Sequence, residues 1–143
     1  MIGCTAVTNT AYWYSYLKNP MGDVVGIINK DLTLAATYEY DAWGKVLAVH
    51  DANGNIDTNP NSIGNLNPLR YRGYFWDVET GFYYCGARYY DPNVGRFINA
   101  DGVGAAAAAP GSALHGKNLY AYCENNPVNC FDPTGKETTA IHW

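Results

Sequence analysis

The stretch from Asn67 to Asp101, NPLRYRGYFWDVETGFYYCGARYYDPNVGRFINAD, decides the fold class of this chain. Within it an aromatic-Asp pair is twice followed by a glycine a few residues on: Trp76-Asp77 with Gly81, then Tyr90-Asp91-Pro92 with Gly95. These are turn signals. An Asp carboxylate accepts from its own backbone two residues later, Pro92 presets φ at a turn position, and Gly supplies the positive φ of a tight β connection. Between the turns, Arg70 to Trp76, Phe82 to Tyr90 and Arg96 to Ile98 are rich in residues suited to a pleated surface, and each reads as a strand. The block is predicted to be a meander of short strands.

Upstream the same grammar repeats. Tyr12, Tyr14 and Tyr16 fall on one face of a strand, Trp13 and Ser15 on the other. Asn19 to Asp23 reads as a turn, Asp23 to Asn29 as a strand, Lys30-Asp31 as a turn, and Leu34 to Tyr40 as a third strand closing on Asp41-Ala42-Trp43-Gly44. Lys45 to His50 continues as a strand, and Asp51 to Asn55 is a hairpin signal. The polar stretch Asp57 to Gly64 reads as an exposed loop or a degraded strand. Strand and turn alternate in units of about two dozen residues or fewer, as in repeat architectures. Downstream, Ala105 to Ala109 with flanking Gly and Pro reads as a flexible loop. Order is expected to return at Leu119 to Tyr122 as a short strand or helical turn, and Lys136 to Trp143 is too short to be a domain.

Composition supports an all-β class. In 143 residues aromatics make up 15%, with 13 Tyr, while charged residues are also only 15% and Gly numbers 15. That is too apolar for disorder, and Tyr with Gly favours strands joined by tight turns. The length suits one domain with its own core and is too short for two. A net charge of −4 argues against a general nucleic-acid surface, because phosphate contacts need clustered Lys and Arg. The basic cluster Arg70, Arg72, Arg88 and Arg96 lies among tyrosines. It reads first as guanidinium groups stacked on rings or paired with turn aspartates, and second as a stacking platform for bases.

The four cysteines, Cys4, Cys85, Cys123 and Cys130, form no C-x-x-C pair, and His50, His115 and His142 are scattered. No metal site and no cofactor are expected. The cysteines read as free, buried thiols, although Cys123 and Cys130 could meet across a short loop. Met1-Ile-Gly-Cys4 lacks the apolar region of a signal peptide, and no apolar run approaches the ~20 residues of a membrane span.

The Trp76 to Asp101 line of aromatic-Asp, Glu-Thr-Gly, Tyr-Tyr, Arg-Tyr-Tyr-Asp-Pro, Gly-Arg-Phe and Asp closely resembles the C-terminal core segment of Rhs (YD-repeat) proteins. The likeness extends through Tyr38-Glu-Tyr-Asp-Ala-Trp-Gly-Lys-Val46 and through Asn118 to Gly135, covering roughly Tyr12 to Gly135. It implies a strip of short antiparallel strands and hairpins from an Rhs/YD-repeat shell that encapsulates a toxin, ending in a loop-rich C-terminal segment. Residues 1–66 would be a YD-repeat-like hairpin region, 67–135 the Rhs repeat-associated core segment, and 136–143 a short tail at the toxin's position. The remaining shell, or a second copy of this chain, would be the partner. The family also implies secreted or cell-surface delivery.

The resemblance further implies an aspartyl self-cleavage site built from two Asp-Pro-x-Gly motifs. The second stands here as Asp132-Pro133-Thr134-Gly135, and the first as Asp101-Gly102-Val103-Gly104, with glycine where proline is usual. Asp101 and Asp132 would form the catalytic pair with Arg96 in support, and the scissile bond would join Lys136 to Glu137. Two carboxylates suit such chemistry because like charges close together cannot both ionise: one keeps a proton as acid while the other activates water. Asp before Pro or Gly is also the default turn residue, as at Asp41, Asp77 and Asp91. The alternative is a non-catalytic β scaffold or a carbohydrate-binding surface, with Trp43, Tyr74 and Trp76 as stacking rings.

Overall fold

The computed structural model describes residues 2–5, 11–100 and 118–141. Asp101 and the alanine run Ala105 to Ala109 lie outside the described residues. Contacts divide the chain into two compact units, Met1–Phe75 and Trp76–Trp143.

The first unit is an antiparallel meander in sequence order: β1 (Ile2–Thr5), β2 (Ala11–Lys18), β3 (Val24–Asn29), β4 (Leu34–Tyr40) and β5 (Val46–Asp51). Its turns repeat one chemistry. At Asn19, Asp41 and Asp51 the side-chain oxygen accepts from the amides two and four residues on, at 2.8–3.0 Å. Three residues on, glycine donates back to the carbonyl of the first residue, with φ between 82° and 88° at Gly22, Gly44 and Gly54. This is a hairpin turn closed by a bulge, and it favours a short polar residue first and glycine fourth; the β3–β4 turn closes in the same way with Leu32 fourth, at φ 66°.

Alternation sets the buried face. Tyr16 pairs with Ile27, Ile27 with Ala36, and Tyr38 with Val49. Val24, Ile27, Ala36, Tyr38 and Val49 form a buried core, with Tyr14 and Tyr16 packed against it, while Trp13 is 54% exposed as its odd position requires.

Two parts of this unit differ from the expected pattern. Exposure in the 57–64 stretch is confined to 58–61 and does not reach its end. Ser62 caps the short helix α1 (Ile63–Leu66), accepting from the Asn65 amide at 3.3 Å. Gly64 is buried so tightly that a Cβ there would lie 2.8 Å from Val49 Cγ1. The tertiary contact selects the glycine, which polarity alone reads as loop.

Arg70 to Tyr74 is a tight loop, not a strand. Leu69 bridges Phe75 across it, a 3-10 turn occupies Tyr71–Gly73, and Arg72 and Gly73 have φ of 53° and 73°. Arg70 explains the loop. Its guanidinium donates to the carbonyls of Gly64, Asn65 and Asn67 at 3.0–3.4 Å and sits 5.4 Å from the Tyr38 ring centroid. It thereby serves the carbonyls at the end of α1, which have no partner within the helix. Arg72 is fixed from the other side, its amide donating to Asp23 Oδ1 at 2.9 Å and its side chain lying over Tyr71 at 4.9 Å. The arginines are thus consumed by rings, carbonyls and a turn aspartate, as the first reading of the basic cluster expects.

Burial, reinforced by Tyr38, pushes the Tyr16 hydroxyl from its ordinary 10 up to about 12, and Tyr38 is raised by burial as well. Between pH 10 and about 12 the folded chain therefore keeps protons that the unfolded chain releases, and unfolding gains. Stability that is complete below pH 10 should fall as pH climbs toward 12. Melting temperature measured against pH checks this, and Tyr16→Phe should make the fall shallower.

The second unit carries a four-stranded antiparallel sheet in the order β6 (Phe75–Asp77), β7 (Phe82–Tyr84), β8 (Tyr89–Asp91) and β9 (Arg96–Phe97). The expected continuous strand from Phe82 to Tyr90 is broken by a turn at Cys85 to Arg88, where the Cys85 amide donates to the Arg88 carbonyl at 2.9 Å. Gly86 at φ 95° allows it. Tyr83, Tyr90 and Tyr122 are fully buried and Phe97 nearly so. Their rings are in contact, with Tyr90 4.3 Å from Tyr122 and 5.8 Å from Phe97. The predicted order at Leu119 to Tyr122 is a turn whose Ala121 bridges Arg96. A 3-10 turn (Cys123–Asn125) follows, and then β10 (Cys130–Phe131) pairs with β11 (Thr139–Ala140). Cys85, Cys123 and Cys130 are free thiols, the first two buried and the third half-buried.

Candidate functional site

Asp132 follows β10 and is only 1% exposed. Pro133 has no amide hydrogen to offer, and the chain then bends so that the next four amides converge on one oxygen. Asp132 Oδ1 accepts from Thr134 at 3.2 Å, Gly135 at 2.7 Å, Lys136 at 3.1 Å and Glu137 at 3.2 Å. A turn that tight needs the left-handed φ of 74° at Gly135.

Asp132 Oδ2 faces the Arg88 guanidinium at 3.3 Å, and both side chains are almost wholly buried. Arg88 also donates through Nε to the Gly135 carbonyl and through Nη1 to the Leu119 carbonyl at 3.0 Å. Its guanidinium carbon lies 3.5 Å from the Phe97 ring centroid. A charge buried this deeply is tolerable only when paired and hydrogen-bonded, and the pair meets that condition from both sides.

The turn at Cys85 to Arg88 packs directly on the Asp132 turn. The Ala87 amide donates to the Thr134 carbonyl at 3.1 Å. Added Cβ atoms at Gly86 and Gly135 would lie 3.1 Å and 3.0 Å from opposing backbone oxygens. Cys85 sits beside this turn, and burial, followed by the Asp132 carboxylate, pushes its thiol well above the ordinary range. At 3% exposure the thiol is also shielded from solvent.

The other residues singled out in the sequence are placed as follows. Lys136 and Glu137 are exposed in their side chains and tied to Asp132 through their amides. Arg96 is exposed, pairing in β9 with Asp91, and the guanidinium that meets Asp132 is that of Arg88. Asp101 lies outside the described residues. Tyr74 is 6% exposed, edge-on to Tyr71 at 6.2 Å. Trp43 is half-buried in the same unit. Trp76, in the second unit, rests on the Tyr83 ring at 4.8 Å.

Arg88 stands in the basic cluster with Arg70, Arg72 and Arg96, and nothing in its local sequence distinguishes it. Its partners lie 31, 44 and 47 positions away, beyond any local spacing rule. Among the described residues no helix is long and apolar enough to cross a membrane.

Residues 5–128 match the family described as Teneurin YD-shell. The chain is 38% identical over 132 residues to the tRNA3(Ser)-specific nuclease WapA of Bacillus spizizenii, covering 92% of this chain and 5% of that protein. Over 76 residues it is 40% identical to the toxin protein Tse5 of Pseudomonas aeruginosa, covering 53% of this chain and 5% of that one. Among solved structures, a crystal structure of TcdB2-TccC3-Cdc42 matches with a TM-score of 0.68 and 27% identity over 90% of this chain and 5% of the other. The chain therefore spans about a twentieth of the length of each of these relatives. Repeated Asp-Gly hairpins, an aromatic core and a match over residues 5–128 agree: this chain belongs to the Teneurin YD-shell family, as an Rhs/YD-shell region of polymorphic toxin-like proteins.

Proposed function

We propose that this chain is the C-terminal part of a toxin-encapsulating Rhs shell and that it cuts itself after Lys136. Residues 1–66 supply hairpins to the shell, 67–135 form the core segment that holds the cleavage site, and 136–143 occupy the position where the released segment begins. The remaining shell is the partner that continues the sheet. The nuclease and toxin named among its relatives support the encapsulation reading.

One observation carries the cleavage reading. Hydrolysis of the Lys136–Glu137 bond must expel the Glu137 nitrogen as an amine, and that nitrogen lies 3.2 Å from Asp132 Oδ1. A carboxyl group in hydrogen-bond reach of the leaving atom is what general acid–base cleavage of a peptide requires. With Asp101 as the second, neutral carboxyl, ionised Asp132 takes a proton from water as the water oxygen bonds to the Lys136 carbonyl carbon, and Asp101 gives its proton to the carbonyl oxygen. Asp132 then passes the proton it took to the Glu137 nitrogen as the carbon–nitrogen bond breaks, and Asp101 recovers its proton as the carbonyl re-forms. The products are a carboxyl terminus at Lys136 and an amino terminus at Glu137.

Intact mass of freshly purified protein tests this. Wild-type chain should end at Lys136, having lost the peptide Glu137 to Trp143, and Asp132→Asn should retain it. A wild-type chain of full mass, alone and with the rest of its shell, would sink the cleavage reading and leave a scaffold.

A further inference from the structure

We infer that the site also re-forms the bond it cuts, acting as a peptide ligase on its own product: an extended peptide that pairs with β10 and presents its amino terminus to Asp132. The inference rests on the cleavage reading and goes beyond it. The Lys136–Glu137 bond lies in the loop of a hairpin, Asp132 to Thr138, between β10 (Cys130–Phe131) and β11 (Thr139–Ala140). Each side of the bond is fastened without help from the bond itself. Upstream, the Gly135 and Lys136 amides donate to Asp132 Oδ1 at 2.7 Å and 3.1 Å, and the Thr134 carbonyl accepts from the Ala87 amide at 3.1 Å. Downstream, Thr139 faces Phe131, Ala140 faces Cys130, and the Ile141 amide donates to the Asn129 carbonyl at 2.7 Å. Hydrolysis removes none of these contacts.

It strengthens another. The Glu137 nitrogen lies 3.2 Å from Asp132 Oδ1 as an amide, and once cut free it is an α-amine, protonated below about pH 8. A hydrogen bond from an ammonium to a carboxylate is roughly twice as strong as a neutral one. Strand addition and capture of an amino terminus are both ways of binding a peptide, and here they meet on one segment. Amine and carboxyl stay neighbours, and groups held in reacting geometry behave as though present at about 10⁵–10⁸ M. That proximity offsets the excess of water that otherwise drives hydrolysis to completion.

Re-formation is the cleavage sequence run backwards. Proton transfer from the Glu137 ammonium to the Lys136 carboxylate leaves a neutral amine and a neutral acid. The nitrogen bonds to the Lys136 carboxyl carbon, Asp132 takes a proton from that nitrogen, and Asp101 gives its own to the carboxyl oxygen. Asp132 then returns its proton to one hydroxyl, which leaves as water, and Asp101 recovers a proton from the other as the carbonyl re-forms. One water is released, and both carboxyls end as they began.

The test uses the self-cut chain and synthetic peptides of the sequence Glu137 to Trp143, kept in excess from lysis onward so that the site never stands without its product. Incubation is in water enriched in heavy oxygen, and mass is read under denaturing conditions. The expected result is return of the full-length chain in proportion to peptide, with heavy oxygen entering the Lys136 carboxylate of chains that have been joined and cut again, one atom first and two later. The N-acetylated peptide, which has no amine to attack, should give neither signal. A peptide N-methylated at Ile141 loses only the donor to Asn129, and at limiting concentration should re-form the chain up to about tenfold less, the most that one hydrogen bond contributes.

A cut chain that neither regains its tail nor takes up heavy oxygen overturns the inference and leaves the cleavage reading intact. Equal signals from the free and N-methylated peptides overturn the part assigned to β10. A wild-type chain that never cuts is recognised beforehand by its full mass, and overturns both readings.

Discussion

Gly44→Ala is expected to destabilise the chain by about 2–5 kcal/mol, combining a left-handed backbone cost of about 1–2 with an overpacking cost of about 1–3 kcal/mol. Gly44 has φ 88°, and a Cβ there would collide with Tyr71 Cδ1 and lie 2.5 Å from Cγ. The clash is with the root of the ring and not with a movable tip. The ring itself is pinned, being 2% exposed, with its hydroxyl donating to the Ala42 carbonyl at 2.9 Å. Backbone must therefore shift, and the turn at Asp41 shifts with it. Gly54 is the internal control. It has nearly the same φ, 82°, in the same kind of turn, and nothing lies within 4 Å of its absent Cβ. Gly54→Ala should cost only the backbone part, about 1–2 kcal/mol. Urea midpoints of the two variants measured together separate the terms; equal shifts would refute the ring contact.

Asp132→Ala is expected to cost about 3–5 kcal/mol, the usual consequence of removing one partner of a buried ion pair. The loss is larger than that of a carboxylate in an ordinary turn for two reasons. Four amides lose their common acceptor, and Arg88 keeps a nearly buried charge without its counter-ion. Asp51 offers the contrast. Its carboxylate serves the Asn53 and Asn55 amides in an exposed turn, where water can replace it, so Asp51→Ala should shift the midpoint far less. Comparable midpoint shifts for the two substitutions would mean that the Arg88 pairing contributes nothing. Asp132→Asn keeps the shape and most of the acceptor capacity, which is why it, and not the alanine variant, is the proper probe of cleavage.

The same carboxylate thus organises a turn and touches the bond proposed to break. These roles are compatible. Cleavage needs the leaving nitrogen held still, and the hydrogen bonds that hold it also shape the turn. Asp23 shows what the arrangement is without a scissile bond: a buried carboxylate accepting from the Arg72 amide at 2.9 Å and from Asn19 Nδ2 at 2.8 Å. It fixes two loops to each other, and no neighbouring peptide bond is proposed to break.

The sequence by itself determined the all-β class, the places of the hairpin turns and the alternation of faces along the strands of the first sheet. These rest on local rules: an Asp or Asn first with a Gly three or four residues on in most of the turns, and a side-chain period of two along each strand. Leu34–Tyr40 and the turns at Asp41, Asp51, Asp77 and Asp91 follow those rules within the neighbouring few residues. The first Asp motif and the alanine run, Asp101 to Ala109, lie outside the described residues. What only the tertiary structure decided depends on contacts between residues far apart in the chain. Arg70 to Tyr74 leaves the strand pattern because Arg70 must reach the carbonyls of α1. Gly64 is buried because a helix turn lies against Val49 and Ala36. Arg88, and not Arg96, meets Asp132 because the turn at Cys85 to Arg88 breaks the long aromatic run and directs that guanidinium inward. A planar donor fork will serve any acceptor within its reach, so its partner is chosen by where the chain brings two turns together.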